Sequence, residues 1–319
     1  MSTSGGDDGQ LVDLAGSPLR LLMIHAHPDD ETTTTGATAR RYAEEGIPVH
    51  LVTCTRGERG EIVDSSVGDR VEDRDPEITA EHLGAYRMQE LAAACHELRF
   101  AGHRYLAGPG RWWDSGTTAR TTQHRCPPFS TGDLAVQSHQ LAEVVRRLRP
   151  QVVITYDERG GYGHPDLIRA HDATVAAIAL AADPTAESDA ATPWSTSKLY
   201  ACVVPHSVLQ QAATTLADTR VERPNPFASA TGLGDAALPD LPFGVPDTAV
   251  TARIDARRWL PAKVAAMRAH RSQMHQRGWF FVLAERGEGL GIEHYQLLAG
   301  KPSRSPAGVE DDLFAGLRA

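Results

Sequence analysis

Cysteine is scarce in this chain: four in 319 residues, Cys54, Cys95, Cys126 and Cys202, far apart and never closely paired. That distribution excludes a disulfide framework and a thiolate zinc site. Cys54, Cys95 and Cys202 fall in apolar segments and read as small buried hydrophobes. No apolar run approaches the ~20 residues of a membrane helix, and no basic flank with an apolar stretch follows Met1. A cytoplasmic protein is therefore expected. Lys/Arg blocks are also missing, and the net charge of −9 is spread along the chain. Neither nucleic acid nor an anionic membrane is expected as the main partner, and a small neutral substrate is compatible with this charge. No internal repeat is visible.

What is present is alternation. Short apolar runs near 19–25, 48–54, 103–106 and 151–156 read as strands, and periodic stretches near 33–45, 80–98, 133–148 and 165–182 read as helices. Such alternation predicts an α/β fold: a Rossmann-like, mostly parallel sheet with helices on both faces and right-handed crossovers. Residues 1–17 are polar and Gly-rich and read as a disordered tail, 18–182 as the core, and 183–300 as a smaller C-terminal α+β part, followed by a tail over 301–319. Within that smaller part, 183–194 reads as a surface connection and 222–247, with five prolines, as a long irregular excursion. A strand over 249–252, a helix over 256–270 and a strand over 294–298 complete it.

Two polar clusters follow strands at the sheet edge where ligands collect. In the first, His25-Ala26-His27-Pro28-Asp29-Asp30-Glu31 follows Leu21–Ile24. An imidazole and a carboxylate three positions apart can converge on one cation at ~2 Å, so His27 and Asp30 are the ligand candidates. Asp29 is placed to deprotonate a water on that cation. The competing reading is an acidic helix N-terminus complementing the dipole. His25 reads as a satisfied, partly buried histidine.

The second cluster, Gly160-Gly161-Tyr162-Gly163-His164-Pro165-Asp166, follows Val152–Tyr156. A Gly-rich turn with Pro at the first helical position explains the glycines and Pro165, but not the other three residues. Tyr162 and His164 can point at a carbonyl developing negative charge, with Asp166 accepting the other N–H of His164. The loops Arg56–Glu61 and Gly108–Gly116 could contact a sugar-like substrate or be solvated turns. Arg87 alone reads as a surface charge, and Gly232-Leu233-Gly234 follows no clear strand, so it is poor evidence for nucleotide binding.

These motifs resemble the PIG-L/LmbE-like family of zinc-dependent N-acetylglucosaminyl deacetylases, which share a strand-borne His-Pro-Asp-Asp-Glu and a later His-Pro-Asp-His. Within it the nearer likeness is to the branch that deacetylates N-acetylglucosaminyl inositol in mycothiol biosynthesis. The match extends through Val52–Thr55, Tyr86-Arg87, Gly110–Trp112 with Asp114–Gly116, Arg268–His270 and Glu293–Tyr295. The resemblance implies a Rossmann-like fold and a hydrolase that binds Zn2+, one per subunit, with Fe2+ or Mn2+ as alternatives. His27 and Asp30 would hold the metal, with Asp29 as general base. His164 would stabilise or protonate the tetrahedral intermediate, backed by Asp166, with Tyr162 as a mobile oxyanion contact. Glu61, Arg87 and Asp114 would touch sugar and inositol hydroxyls.

One position departs: the family's third zinc ligand is Leu167 here, and leucine cannot coordinate. His171 lies one helical turn further, about 6 Å along the axis, and is the candidate substitute. Three outcomes stay open: His171 or His164 substitutes, two protein ligands and water hold the ion weakly, or hydrolysis is lost. The expected function is a metal-dependent deacetylase of N-acetylglucosaminyl inositol. The rivals are a mycothiol-conjugate amidase and a catalytically silent sugar-binding homologue.

Overall fold

Every residue of Leu21–His25 (β1) and Val152–Tyr156 (β4) is buried, as expected of strands covered on both faces. In the computed structural model, which describes residues 11–116, 127–187, 192–217, 243–286, 289–303 and 308–319, they lie side by side in a seven-stranded sheet of order β3-β2-β1-β4-β5-β7-β6. β2 (Val49–Thr53), β3 (Gly102–Tyr105) and β5 (Lys198–Val203) complete the parallel part. β7 (Ile292–Gly300) is antiparallel to β5, and β6 (Ala252–Asp255) to β7. The strands after residue 192 thus continue the same sheet.

The helices are α1 (Asp30–Glu44), α2 (Ser65–Val71), α3 (Pro76–Leu98), α4 (Leu134–Leu148), the single turn α5 (Gly160–Gly163), α6 (Pro165–Ala182), α7 (His206–Ala217), α8 (Leu260–Ala269) and α9 (Trp279–Glu285). α4 pairs with α6, while α1 lies against α3 and α8. The chain steps outward from β1 to β2 and β3, then returns to place β4 on the other side of β1. That reversal opens a crevice beyond the carboxyl ends of β1 and β4, which is where both polar clusters emerge. Among the described residues no helix is long and apolar enough to cross a membrane.

Several boundaries differ from the sequence expectation. α1 starts at Asp30 rather than 33, because Thr33, Thr34 and Thr35 turn their hydroxyls onto the carbonyls of Asp29, Asp30 and Glu31 and so join the helix despite β-branching. α3 starts at Pro76, with the Asp75 side chain capping the Glu77 N–H at 2.9 Å. The strand expected over 249–252 is displaced to Ala252–Asp255, after a 3-10 turn at Asp247–Ala249. The expected helix 256–270 is α8, which starts at Leu260 with Pro261 in its first turn, behind another 3-10 turn at Arg257–Trp259. The C-terminal segment is packed: Leu313 and Phe314 are fully buried. Cys126, Gly232-Leu233-Gly234 and residues 222–242 of the proline-rich excursion lie outside the described residues.

Candidate metal and active site

The chain leaving β1 turns at once into α1, and the turn residue Asp29 has φ 111° and ψ −28°. An L-residue held there stores roughly 1–3 kcal/mol of strain, although aspartate tolerates it better than most. Its N–H donates to Glu31 Oε2 at 2.9 Å. Arg87, 2 % exposed, donates to the Pro28 and Gly57 carbonyls and stands 3.4 Å from the Asp29 carboxylate. Burial, against the pull of Arg87, pushes the Asp29 carboxyl up to about 7. A proton acceptor for work near neutral pH needs such a value.

Asp30 Oδ2 accepts the His27 N–H at 2.8 Å and the Tyr156 hydroxyl at 2.8 Å. Burial opposes its ionisation, but His27 and Tyr156 hold its carboxyl well below the usual carboxylate range. The two nitrogens of His27 face different partners: Nδ1 lies 3.5 Å from Asp30 Oδ2, whereas Nε2 lies 3.1 Å from Asp166 Oδ2 and 3.4 Å from Asp114 Oδ1. Burial disfavours a charged ring there, yet the Asp114, Asp166 and Asp30 carboxylates hold His27 well above the ordinary histidine value. His25 is the satisfied core histidine, between Tyr156 Oη and Thr35 Oγ1 at 3.0 Å each.

Gly160 allows the second cluster to close on α6, since its φ is +62° and a Cβ would stand 2.6 Å from the Ile168 nitrogen. His164 caps α6, its Nδ1 accepting the Asp166 N–H at 3.1 Å. Hydrogen bonding therefore assigns the proton of the neutral ring to Nε2. Burial and the proximity of His27 keep His164 below the ordinary histidine value. Its ring meets that of His27 edge-on, with centroids 4.6 Å apart. Tyr162 is 57 % exposed, its ring 6.1 Å from that of His164.

Two sequence expectations are corrected. The Asp166 carboxylate does not back His164: the capping geometry spends the Asp166 N–H on His164 and turns its side chain to Ser115 N (2.8 Å), Ser115 Oγ (2.5 Å) and His27. His171, the expected substitute, is not part of the candidate metal group that the fold brings together. Its Nδ1 is engaged with the Tyr156 carbonyl oxygen at 2.8 Å, and it lines a separate groove with Asp157, Arg159 and Leu199. One helical turn carries it past the crevice instead of into it. Leu167 itself is buried in the apolar core. Accordingly, His171→Ala should leave the metal content of the purified protein unchanged; loss of metal by elemental analysis would contradict this placement.

Of the expected sugar contacts, Arg87 and Asp114 are buried at the site, whereas Glu61 is exposed on the loop after β2. The buried carboxylate of that loop is Glu58, which receives Arg56 Nε and the Asp114 N–H. Sequence reasoning passed over Tyr156 and carried Ser115 only as a member of the Gly108–Gly116 loop. Tyr156 ends an apolar strand at the switch point, a position that could have flagged it; for Ser115 the signal was the loop it belongs to, not its bond to Asp166.

Ligand atoms of His27, Asp114, His164 and Asp166, all buried, lie within 4.8 Å of one another and form a group able to hold a metal ion. Residues 22–178 match the family described as GlcNAc-PI de-N-acetylase, PIG-L. A 1D-myo-inositol 2-acetamido-2-deoxy-α-D-glucopyranoside deacetylase of Catenulispora acidiphila is 50% identical over 97% of this chain and 90% of its own length. One of the same description from Geodermatophilus obscurus is 46% identical over 93% and 98%. Among solved structures, a conserved protein of Thermus thermophilus (TM-score 0.56, 20% identity, 91% of this chain and 98% of that one) shares the fold. So does the N,N'-diacetylchitobiose deacetylase of Pyrococcus horikoshii (TM-score 0.54, 16% identity, 88% and 83%). From the two full-length relatives and the matched segment, the chain belongs to the PIG-L family of GlcNAc-PI de-N-acetylases.

Proposed function

We propose that this protein is a zinc-dependent deacetylase that hydrolyses the acetamide of 1D-myo-inositol 2-acetamido-2-deoxy-α-D-glucopyranoside to acetate and the free amine. The observation that carries the reading is the convergence of Asp29, Asp30, His27 and His164 on one crevice, in a chain half identical to a relative of that description.

The donor set fits a cation. His27 Nδ1 and Asp30 Oδ2 are 3.5 Å apart, a separation suited to two donors each about 2 Å from one ion. Asp166 on His27 Nε2 is the carboxylate that orients a ligating imidazole. A cation bound there supplies Lewis acidity, polarising the acetamide carbonyl and making a nearby water easier to deprotonate. Asp29 takes the proton from the attacking water. His164, with its proton on Nε2, donates a hydrogen bond toward the developing oxyanion, and the proton held by Asp29 passes to the departing nitrogen, which returns Asp29 to its carboxylate. Arg87 and the Glu31 side chain hold the Asp29 turn still while this happens. With Leu167 where a third protein ligand would stand, the grip on the ion is weakened and not abolished.

Acetate release from this substrate, run beside elemental analysis, tests the reading. Wild-type protein should carry zinc and release acetate, and Leu167→His should raise metal affinity by at least the roughly 10–100-fold associated with lesser ligand-shell changes. Asp30→Asn should strip the metal whereas Asp114→Asn retains it; the reverse pattern moves the ion to the Nε2 side of His27. Protein that holds no metal and releases no acetate would leave the silent sugar-binding alternative.

A further inference from the structure

The strained Asp29 turn is held from behind by a second buried cluster that the reaction does not consume. Glu31 and His270 are both fully buried, and His270 Nε2 donates to Glu31 Oε1 at 2.9 Å. The other carboxylate oxygen of Glu31, Oε2, receives the Asp29 N–H at 2.9 Å. His270 Nδ1 has no hydrogen-bond partner among the described residues, so the polar attachment of the ring is to Glu31. His270 ends α8, and the turn after it is fixed in its own right: Ser272 gives its N–H and hydroxyl to the two oxygens of Glu90, at 2.7 and 2.6 Å. Glu90 stands on α3, one turn after Arg87, the residue that faces Asp29 from the other side.

A chain of hydrogen bonds therefore runs from the end of α8 through Glu31 to the peptide nitrogen of Asp29. The alternative for Glu31, an acidic residue easing a helix N-terminus, does not require full burial or a histidine partner more than two hundred residues away in sequence. A buried carboxylate without that partner would cost free energy and would keep only the neighbouring Thr32 hydroxyl on Oε1, a contact that does not tie it to α8.

We propose that His270 and Glu31 are positioning residues for the hydrolysis: His270 locks the Glu31 carboxylate, which holds the Asp29 peptide in its left-handed conformation and so aims the Asp29 side chain at the crevice. The inference rests on the deacetylase reading for its kinetic arm only. Removing the donor with His270→Leu should lower kcat roughly 10–100-fold, the range associated with small misplacements and lost orienting contacts, with KM and metal content little changed. His270→Gln, whose amide nitrogen can reach the place of Nε2, should recover most of that loss.

In an Asp29→Asn background, His270→Leu should lower kcat no further, because the group it positions is already gone. A loss of the same size in both backgrounds would overturn the proposal, as would a kcat loss explained by a parallel fall in melting temperature or metal content. A second readout needs no activity. Amide exchange at the Asp29 peptide should speed up in His270→Leu and stay protected in His270→Gln. Unchanged protection in His270→Leu would overturn the proposal even if wild-type protein deacetylates, whereas inactive wild-type protein with the expected exchange pattern would overturn the functional reading alone.

Discussion

Asp29→Asn should lower kcat for acetate release by about 10²–10⁴-fold, the range a positioned general base contributes. Asparagine is the informative replacement. It tolerates the positive φ of 111° better than other side chains and keeps an oxygen for Arg87, 3.4 Å away. What it loses is the capacity to take a proton. Metal content should stay near the wild-type value, because His27 and Asp30, 3.5 Å apart, and not Asp29, are the residues proposed to hold the metal. Steady-state kinetics with elemental analysis on the same preparation checks both statements. A kcat reduced less than tenfold, with metal retained, would remove Asp29 from the role of base.

Much of this site was legible in the sequence because its residues sit next to strands that announce themselves. Leu21–Ile24 and Val152–Tyr156 are unbroken apolar runs, buried throughout, and such runs locate a parallel sheet. Once β1 and β4 are adjacent, the turns after them must share a crevice. The strand β5 was less visible, because it opens on Lys198, whose charge argues for the surface until its partner is known. That partner, Glu310, lies 112 residues further on, and no local pattern connects them.

The fate of the odd third-ligand position was likewise beyond sequence. Helical geometry allows a residue four places on to point the same way, but whether it meets the crevice depends on how α6 lies against β4. Here the Tyr156 carbonyl takes His171 instead. The partner of Asp166 was misread for a related reason. A histidine that caps a helix with its ring nitrogen uses the backbone two residues on, which frees the neighbouring carboxylate for His27.

Glu310→Ala should destabilise the protein by about 3–5 kcal/mol, the cost of leaving one member of a buried ion pair without its partner. Lys198 and Glu310 side chains are each 2 % exposed and 2.6 Å apart. The same carboxylate accepts the Tyr200 hydroxyl and the Ser303 N–H, each at 2.6 Å, so its removal strands two further donors. Through Glu310 the C-terminal segment is fastened to β5 by side chains and to Thr251 and Arg253 by its backbone, and Leu313 and Phe314 follow it into the core. Urea denaturation measures the change. Lys198→Met combined with Glu310→Leu should recover the part of the loss that comes from the unpaired ammonium, since an apolar pair carries no charge to desolvate, while the Tyr200 and Ser303 donors stay unpaired. Arg257→Ala, which breaks the exposed pair with Asp255 at 2.5 Å, should cost little, because water screens an ion pair at the surface. A Glu310→Ala variant as mild as that surface control would mean that water reaches the Lys198 ammonium and that the segment after residue 308 is not anchored through this pair.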